Sequence, residues 1–293
     1  MLKGAMVALV TPFTADNQVD EETLRGLIEW HIESGTDGIV PCGTTGESPT
    51  LSHEEHRRVI EITVEQVNKR VPVVAGAGSN STAEAIDLTK HAKQVGADAA
   101  LHVTPYYNKP TQEGIYQHFA AIAKEASFPL VPYNIAGRTG INIEPATMAR
   151  LAELPEVVAC KEASGNISQM AEIFYLCGDK MDLMSGDDNM LLPLLSIGGK
   201  GVISVVNNLI PSEMSELCSR WHDGDVAGAR EIYYKVLPLC KAMFIETNPI
   251  PVKVAMGVLG RIPNASLRLP LCDMAPANLE RLKKALADYG LTK

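Results

Sequence analysis

No apolar run in the chain reaches about 18 residues, the length that a membrane-crossing helix needs. A basic stripe is missing too: 26 Lys and Arg stand interleaved with 35 Asp and Glu, for a net charge of −9. That balance excludes the electrostatic footprint of a nucleic-acid-binding protein. The first residues lack the basic-then-apolar order of a secretory signal, so export is not expected. None of the cysteines at 42, 160, 177, 218, 240 and 272 forms a C-x-x-C pair, and no histidine cluster has zinc-ligand spacing. Neither a disulfide framework nor a metal site is expected. Cys42 and Cys160 lie in apolar runs, where a free thiol behaves as a small hydrophobe. A reducing cytoplasm suits such a chain.

What is present is a repeating pattern: a short apolar run, a turn, then an amphipathic segment. Candidate strands span 5–11, 37–42, 71–76, 98–104, 129–134, 157–161, 182–185 and 201–206. Helical patterns follow near 20–34, 52–69, 82–95, 112–126, 144–153, 167–177, 187–197 and 211–222. Helix-start chemistry supports several of them, with Ser52 followed by Glu55, Ser81 by Glu84, and Thr111 by Gly114. Alternation of this kind predicts parallel strands with helical crossovers, and eight such pairs predict a (β/α)8 TIM barrel over 1–224. From 225 to 293 the pattern is purely helical (225–246, 249–259 and 276–289), predicting a small C-terminal helical domain with breaks at Pro238, Pro249, Pro251, Pro263 and Pro270.

The candidate chemistry sits at predicted strand ends, where active sites of this fold lie. Lys161 closes the run Val157–Cys160. Desolvation there favours the neutral amine that attacks a ketone, although a strand-end lysine can equally snorkel to water. Glu162 points to the opposite face by strand alternation and so does not neutralise the amine. Gly43-Thr44-Thr45-Gly46-Glu47 follows the second strand. Its glycines, N–H groups and hydroxyls can cradle a small carboxylate, or can simply close a turn. Tyr133 ends the fifth strand and Arg138 follows in a turn; a phenol can shuttle protons and a guanidinium can fork a second carboxylate. Tyr106 and Tyr107 follow the fourth strand and, as an adjacent pair, equally suit packing or an interface. Gly76-Ala77-Gly78 lacks the third glycine of a dinucleotide fingerprint, and Gly198-Gly199-Lys200-Gly201 precedes a strand, where a turn is expected.

Taken together, GTTGE at 43–47, TPYYNKPTQEG at 104–114, YNxxGRTG at 133–140, KEASGN at 161–166 and SGDD at 185–188 resemble the dihydrodipicolinate synthase family of the pyruvate-dependent class I aldolases. The resemblance runs from Met6 to Lys253. It implies a lyase that condenses pyruvate with L-aspartate-4-semialdehyde through an imine on Lys161, with no metal or organic cofactor. It assigns Thr44, Tyr133 and Tyr107 to a proton relay, with Tyr107 supplied across a subunit interface of a homo-oligomer, a dimer of dimers. Thr44 and Thr45 would hold the pyruvate carboxylate, Gly186 and Ile203 would line the pocket, and Arg138 would bind the semialdehyde carboxylate. Ser48, His53, His56, Asn80, Glu84 and Tyr106 match positions that bind L-lysine as a feedback inhibitor. One departure is Ala136 where the family has proline, which frees φ ahead of Arg138. The nearest alternatives are other aldolases of the superfamily, such as N-acetylneuraminate lyase or a 2-keto-3-deoxy sugar-acid aldolase; Arg138 and the second threonine of GTTGE favour the synthase.

Overall fold

The computed structural model describes residues 2–292. Among these, eight strands form one parallel sheet in the order β2-β1-β8-β7-β6-β5-β4-β3. They are β1 (Gly4–Ala8), β2 (Gly38–Val40), β3 (Val74–Gly76), β4 (Ala99–Val103), β5 (Leu130–Asn134), β6 (Ala159–Glu162), β7 (Asp182–Ser185) and β8 (Gly201–Ser204). Nearly every strand residue is buried, as expected for parallel strands covered on both faces. The intervening helices are α1 (Glu21–Glu33), α2 (His53–Val67), α3 (Thr82–Val95), α4 (Gln112–Ala126), α5 (Ala136–Thr139), α6 (Pro145–Leu151), α7 (Ile167–Cys177), α8 (Leu191–Ser196) and α9 (Pro211–His222). Three more follow: α10 (Val226–Ala242), α11 (Ile250–Val258) and α12 (Pro276–Tyr289). The fold is a TIM-barrel-like (β/α)8 core with a C-terminal helical extension. No described helix is long and apolar enough to cross a membrane.

The described chain groups into two compact units. One holds the segment up to Gly4 with Val73–Ile203; the other holds Ala5–Pro72 with the chain from Ser204 onward. The first unit contains β3 to β7, most of β8, and the strand ends that carry Tyr133, Lys161 and Gly186. The second contains β2, most of β1, the Gly43–Glu47 turn and α9 to α12.

Local chemistry explains the boundaries. Ser52 and Glu55 form a reciprocal capping box at the start of α2, and Thr111 accepts from the Gly114 N–H at the start of α4. Ser81 stands at the N-cap of α3 but its side chain caps nothing. Glu84 is taken instead by the hydroxyl of Ser79. Pro238 does not break the chain as expected, because it lies inside α10. Its ring removes one backbone bond, but buried Val236, Leu239 and Cys240 hold that turn by packing. Pro251 also lies within a helix, in the first turn of α11, where its missing N–H has no helical partner to lose. At Gly199 a Cβ would fall 1.8 Å from the Leu194 side chain, so the glycine run ahead of β8 is a packing turn.

Candidate active site

In the first unit, β5 pairs with β6 so that Tyr133 lies opposite Lys161 and Asn134 opposite Glu162. Pleating sends the two members of each strand-end dipeptide to opposite faces. On one face the Lys161 amine lies 4.3 Å from the centre of the Tyr133 ring, and both residues are buried. Burial pushes the amine down to about 8, with Arg138 acting in the same sense; Asp187 and Asp188 oppose it. The phenol of Tyr133 is pushed up by burial and by Asp187, with Arg138 pulling the other way. A buried amine that readily gives up its charge therefore faces a phenol that keeps its proton, a nucleophile beside an acid.

Gly186, at the end of β7, makes room for this amine. A Cβ there would lie 2.7 Å from the Cβ of Ala163 and 3.0 Å from Cε of Lys161. The next residue, Asp187, is pushed up to about 6, by burial first and then by Asp188. Ile203 is fully buried on β8.

The other face of β5 and β6 is a closed polar network. Glu162 accepts from Asn134 Nδ2 at 2.9 Å and from the Ser164 N–H at 2.7 Å. Asn134 also donates to Asn142 Oδ1 at 2.8 Å, and Asn142 donates to Gln169 of α7 at 2.9 Å. These bonds hold the carboxylate away from the amine, as strand alternation predicts.

Arg138 lies in the turn that follows β5, which is a single turn of helix, α5. The N–H groups of Arg138 and Thr139 bond to the Ile135 carbonyl, and Gly140 closes the turn at φ +71. Thr139 Oγ1 lies 3.1 Å from Ile135 O and 2.9 Å from Ile141 O, with its one proton to give to either, and accepts from the Ile141 N–H at 3.3 Å. The turn is thus closed with Ala136 at its first position. The φ freed by the absent proline is fixed by these bonds.

Tyr107 is placed differently from the other relay candidates. It is 91% exposed, with φ +69, a left-handed backbone uncommon for an aromatic residue. Its phenol faces away from its own chain. Beside it, Asn80 Nδ2 donates to the Tyr106 carbonyl at 3.2 Å, and the charge of Glu84 helps burial to raise the Tyr106 phenol. Asn80, Glu84 and Tyr106 are therefore neighbours.

In the second unit, the Gly43–Glu47 turn is closed by N–H bonds from Gly46 to Gly43 O and from Glu47 to Thr44 O, both 3.1 Å. Thr44 is half-buried, while Thr45 is buried and accepts from Asn248 Nδ2 at 3.0 Å. A Cβ on Gly46 would lie 3.1 Å from Cys42 N and Leu9 O. Ser48 begins a short 3-10 turn, and His53 and buried His56 stand one helical turn apart on α2.

Two sets of residues escaped the sequence reading. Asp187 and Asp188 were part of the SGDD motif, but their electrostatic weight on Lys161 comes from burial that no spacing reveals. Lys253 and Glu47 form a fully enclosed ion pair between residues 206 positions apart.

The sequence profile of the Dihydrodipicolinate synthetase family matches residues 1–289. The chain is 60% identical over 291 residues to 4-hydroxy-tetrahydrodipicolinate synthase of Syntrophobacter fumaroxidans, covering 99% of this chain and 100% of that one. Among solved structures, dihydrodipicolinate synthase from Aquifex aeolicus superposes with a TM-score of 0.96 at 49% identity, over 99% of both chains. The lysine-bound enzyme from Cyanidioschyzon merolae superposes at 0.95 with 42% identity, also over 99% of both chains.

Proposed function

The chain belongs to the dihydrodipicolinate synthetase family and condenses pyruvate with L-aspartate-4-semialdehyde through a lysine Schiff base, and from that premise we propose that Lys161 is that lysine. The reaction is the first step of the diaminopimelate and lysine pathway. The observation that carries the assignment is the enclosed Lys161 amine, lowered to about 8 and set 4.3 Å from the Tyr133 ring.

The neutral amine attacks the pyruvate ketone, and the resulting carbinolamine loses water to leave a protonated imine. Loss of a methyl proton gives an enamine, because the imine nitrogen takes up the electron pair. The enamine carbon then attacks the semialdehyde carbonyl, whose oxygen takes a proton. Attack by the substrate's own amine displaces Lys161 and closes the ring of 4-hydroxy-tetrahydrodipicolinate. Tyr133, protonated at neutral pH, supplies and recovers protons together with Thr44 and with Tyr107 of a neighbouring subunit. Thr44 and Thr45 hold the pyruvate carboxylate, Gly186 and Ile203 line the pocket, and Arg138 forks the semialdehyde carboxylate. Residues 1–224 form the catalytic barrel and 225–293 its helical domain.

The direct test reduces the enzyme with borohydride in the presence of pyruvate and maps the adduct by mass spectrometry. A coupled assay with the semialdehyde is run beside N-acetylneuraminate cleavage. An adduct on another lysine would overturn the assignment.

Assembly as a homotetramer, a dimer of dimers, brings Tyr107 to a partner's site. L-lysine acts as a feedback inhibitor at Ser48, His53, His56, Asn80, Glu84 and Tyr106. Two things support this reading: the Cyanidioschyzon merolae relative is a lysine-bound structure, and an acid, an amide and a phenol neighbour one another beside Tyr107. Glu84 suits the ammonium groups of the ligand; Asn80 and Tyr106 suit its carboxylate. Coupling to pyruvate is reciprocal, typically about 1–3 kcal/mol. Calorimetry with and without pyruvate checks it, and inhibition unchanged in His56→Ala and Glu84→Ala would refute it. A cytoplasmic location fits the free thiols at all six cysteines, and cell fractionation tests it.

A further inference from the structure

Glu47 ends the Gly43–Glu47 turn at φ +55, and Cys42 precedes the turn at φ +54. Left-handed backbone at a non-glycine residue is strained and persists only where surrounding structure fixes it. At Glu47 the fixing groups are visible. Lys253 Nζ donates to Oε1 at 2.6 Å, and the Arg268 N–H donates to Oε2 at 3.0 Å. Both side chains of the Glu47–Lys253 pair are 0% exposed. The ammonium also lies 3.8 Å from the centre of the Phe13 ring, against which the Arg268 guanidinium packs at 4.2 Å. Arg268 in turn forks Glu55 of α2.

Asn248 lies just ahead of α11 in sequence, and Lys253 lies within it. One short segment therefore grips the turn twice, at Thr45 through Asn248 and at Glu47 through Lys253. The bond at Thr45 has a chemical consequence. A hydroxyl has one proton to give and two lone pairs. Because Asn248 Nδ2 donates to Oγ1, the Thr45 proton points elsewhere and is available to an anion.

We propose that Lys253 and Asn248 are positioning residues for pyruvate: α11 and its lead-in clamp the Gly43–Glu47 turn and orient the Thr45 hydroxyl as a donor to the substrate carboxylate. This rests on the reading that Thr44 and Thr45 hold that carboxylate. A buried ion pair seldom adds stability over apolar residues of the same volume, and here its directional bonds set the shape of the turn.

The test measures kcat and both Michaelis constants for Asn248→Asp, Lys253→Met, Glu47→Gln and Thr45→Val. Asn248→Asp keeps the shape but replaces the donor with an acceptor, drawing the Thr45 proton back. The clamp predicts a pyruvate KM raised about tenfold in each, with semialdehyde KM unchanged and kcat within about threefold, the pattern of lost ground-state binding. Semialdehyde KM rising in step with pyruvate KM would mark general damage and overturn the clamp. If Thr45→Val raises pyruvate KM while Asn248→Asp and Lys253→Met leave it unchanged, the clamp alone fails. If Thr45→Val itself changes nothing, the carboxylate reading fails and the clamp with it. Should Lys253→Met not fold, Asn248→Asp decides.

Discussion

Tyr133 and Lys161 are register partners on adjacent parallel strands, and the amine of one sits 4.3 Å from the ring centre of the other. Parallel pairing fixes this approach through backbone bonds, so two flexible side chains meet without a loop to position them. Burial then separates their acidities in a useful direction, the amine down and the phenol up.

Imine formation should follow that lowered amine. With its midpoint at about 8, about one Lys161 in ten is neutral at pH 7, against about one free lysine in three thousand. Single-turnover borohydride trapping should therefore rise tenfold per pH unit below the midpoint and level off above it, near pH 8. A rise that continues to pH 10 contradicts the assignment. Lys253 is also lowered to about 8 by burial, but it is held by Glu47 and fully enclosed, so no adduct is expected there.

Removing the guanidinium should separate the two substrates. Arg138→Ala is expected to lower kcat/KM for the semialdehyde on the order of 100-fold, about 2.7 kcal/mol, while pyruvate trapping at Lys161 continues. Equal loss of both would make Arg138 a structural residue.

Exposure of the Tyr107 phenol predicts a site completed by a second chain. Specific activity should fall on dilution in parallel with dissociation seen by sedimentation. Tyr107→Phe should lower kcat by about 100-fold or more, the usual worth of a proton-transfer group. A fully active monomer would exclude the shared site.

Acid should destabilise the fold through three buried histidines. Burial lowers His31 and His102 to about 3 and His118 to about 4. His102 bonds Thr89 at 3.1 Å and His118 bonds Thr82 at 2.9 Å, leaving Nδ1 of His102 and Nε2 of His118 unpartnered. An unfolded histidine takes up its proton near 6.5. Stability is therefore full above pH 6.5 and declines as pH falls toward the folded values, by about 2 kcal/mol per histidine at pH 5. Urea midpoints from pH 7 to 5 check this, and His118→Gln should flatten the slope. An unchanged slope in that variant refutes the contribution.

The strands and long helices were legible because burial on both strand faces and a 3.6-residue stripe leave a record in local order. Four-residue α5 has no such record, since it is too short for a period to show. Ser81 looked like a cap because its neighbour Glu84 stands at the right spacing; Ser79 competes for that carboxylate, and only the folded loop reveals it. Lys161, Tyr133 and Thr44 stand out as candidates through motif and strand-end position together. Asp187, Lys253 and Asn248 act through partners distant in sequence, where local pattern is silent.

The back-to-back arrangement of Lys161 and Glu162 makes the chemistry depend on parity. Deleting or inserting one residue within β6 would turn the amine toward the helices and the carboxylate toward Tyr133, even with every other strand in place. Loops around this site can lengthen or shorten over evolutionary time without that exchange. A step of two residues would restore the facing but carry the lysine about 6.6 Å along the strand from Tyr133, so the pair depends on the length of β6 as much as on its sequence.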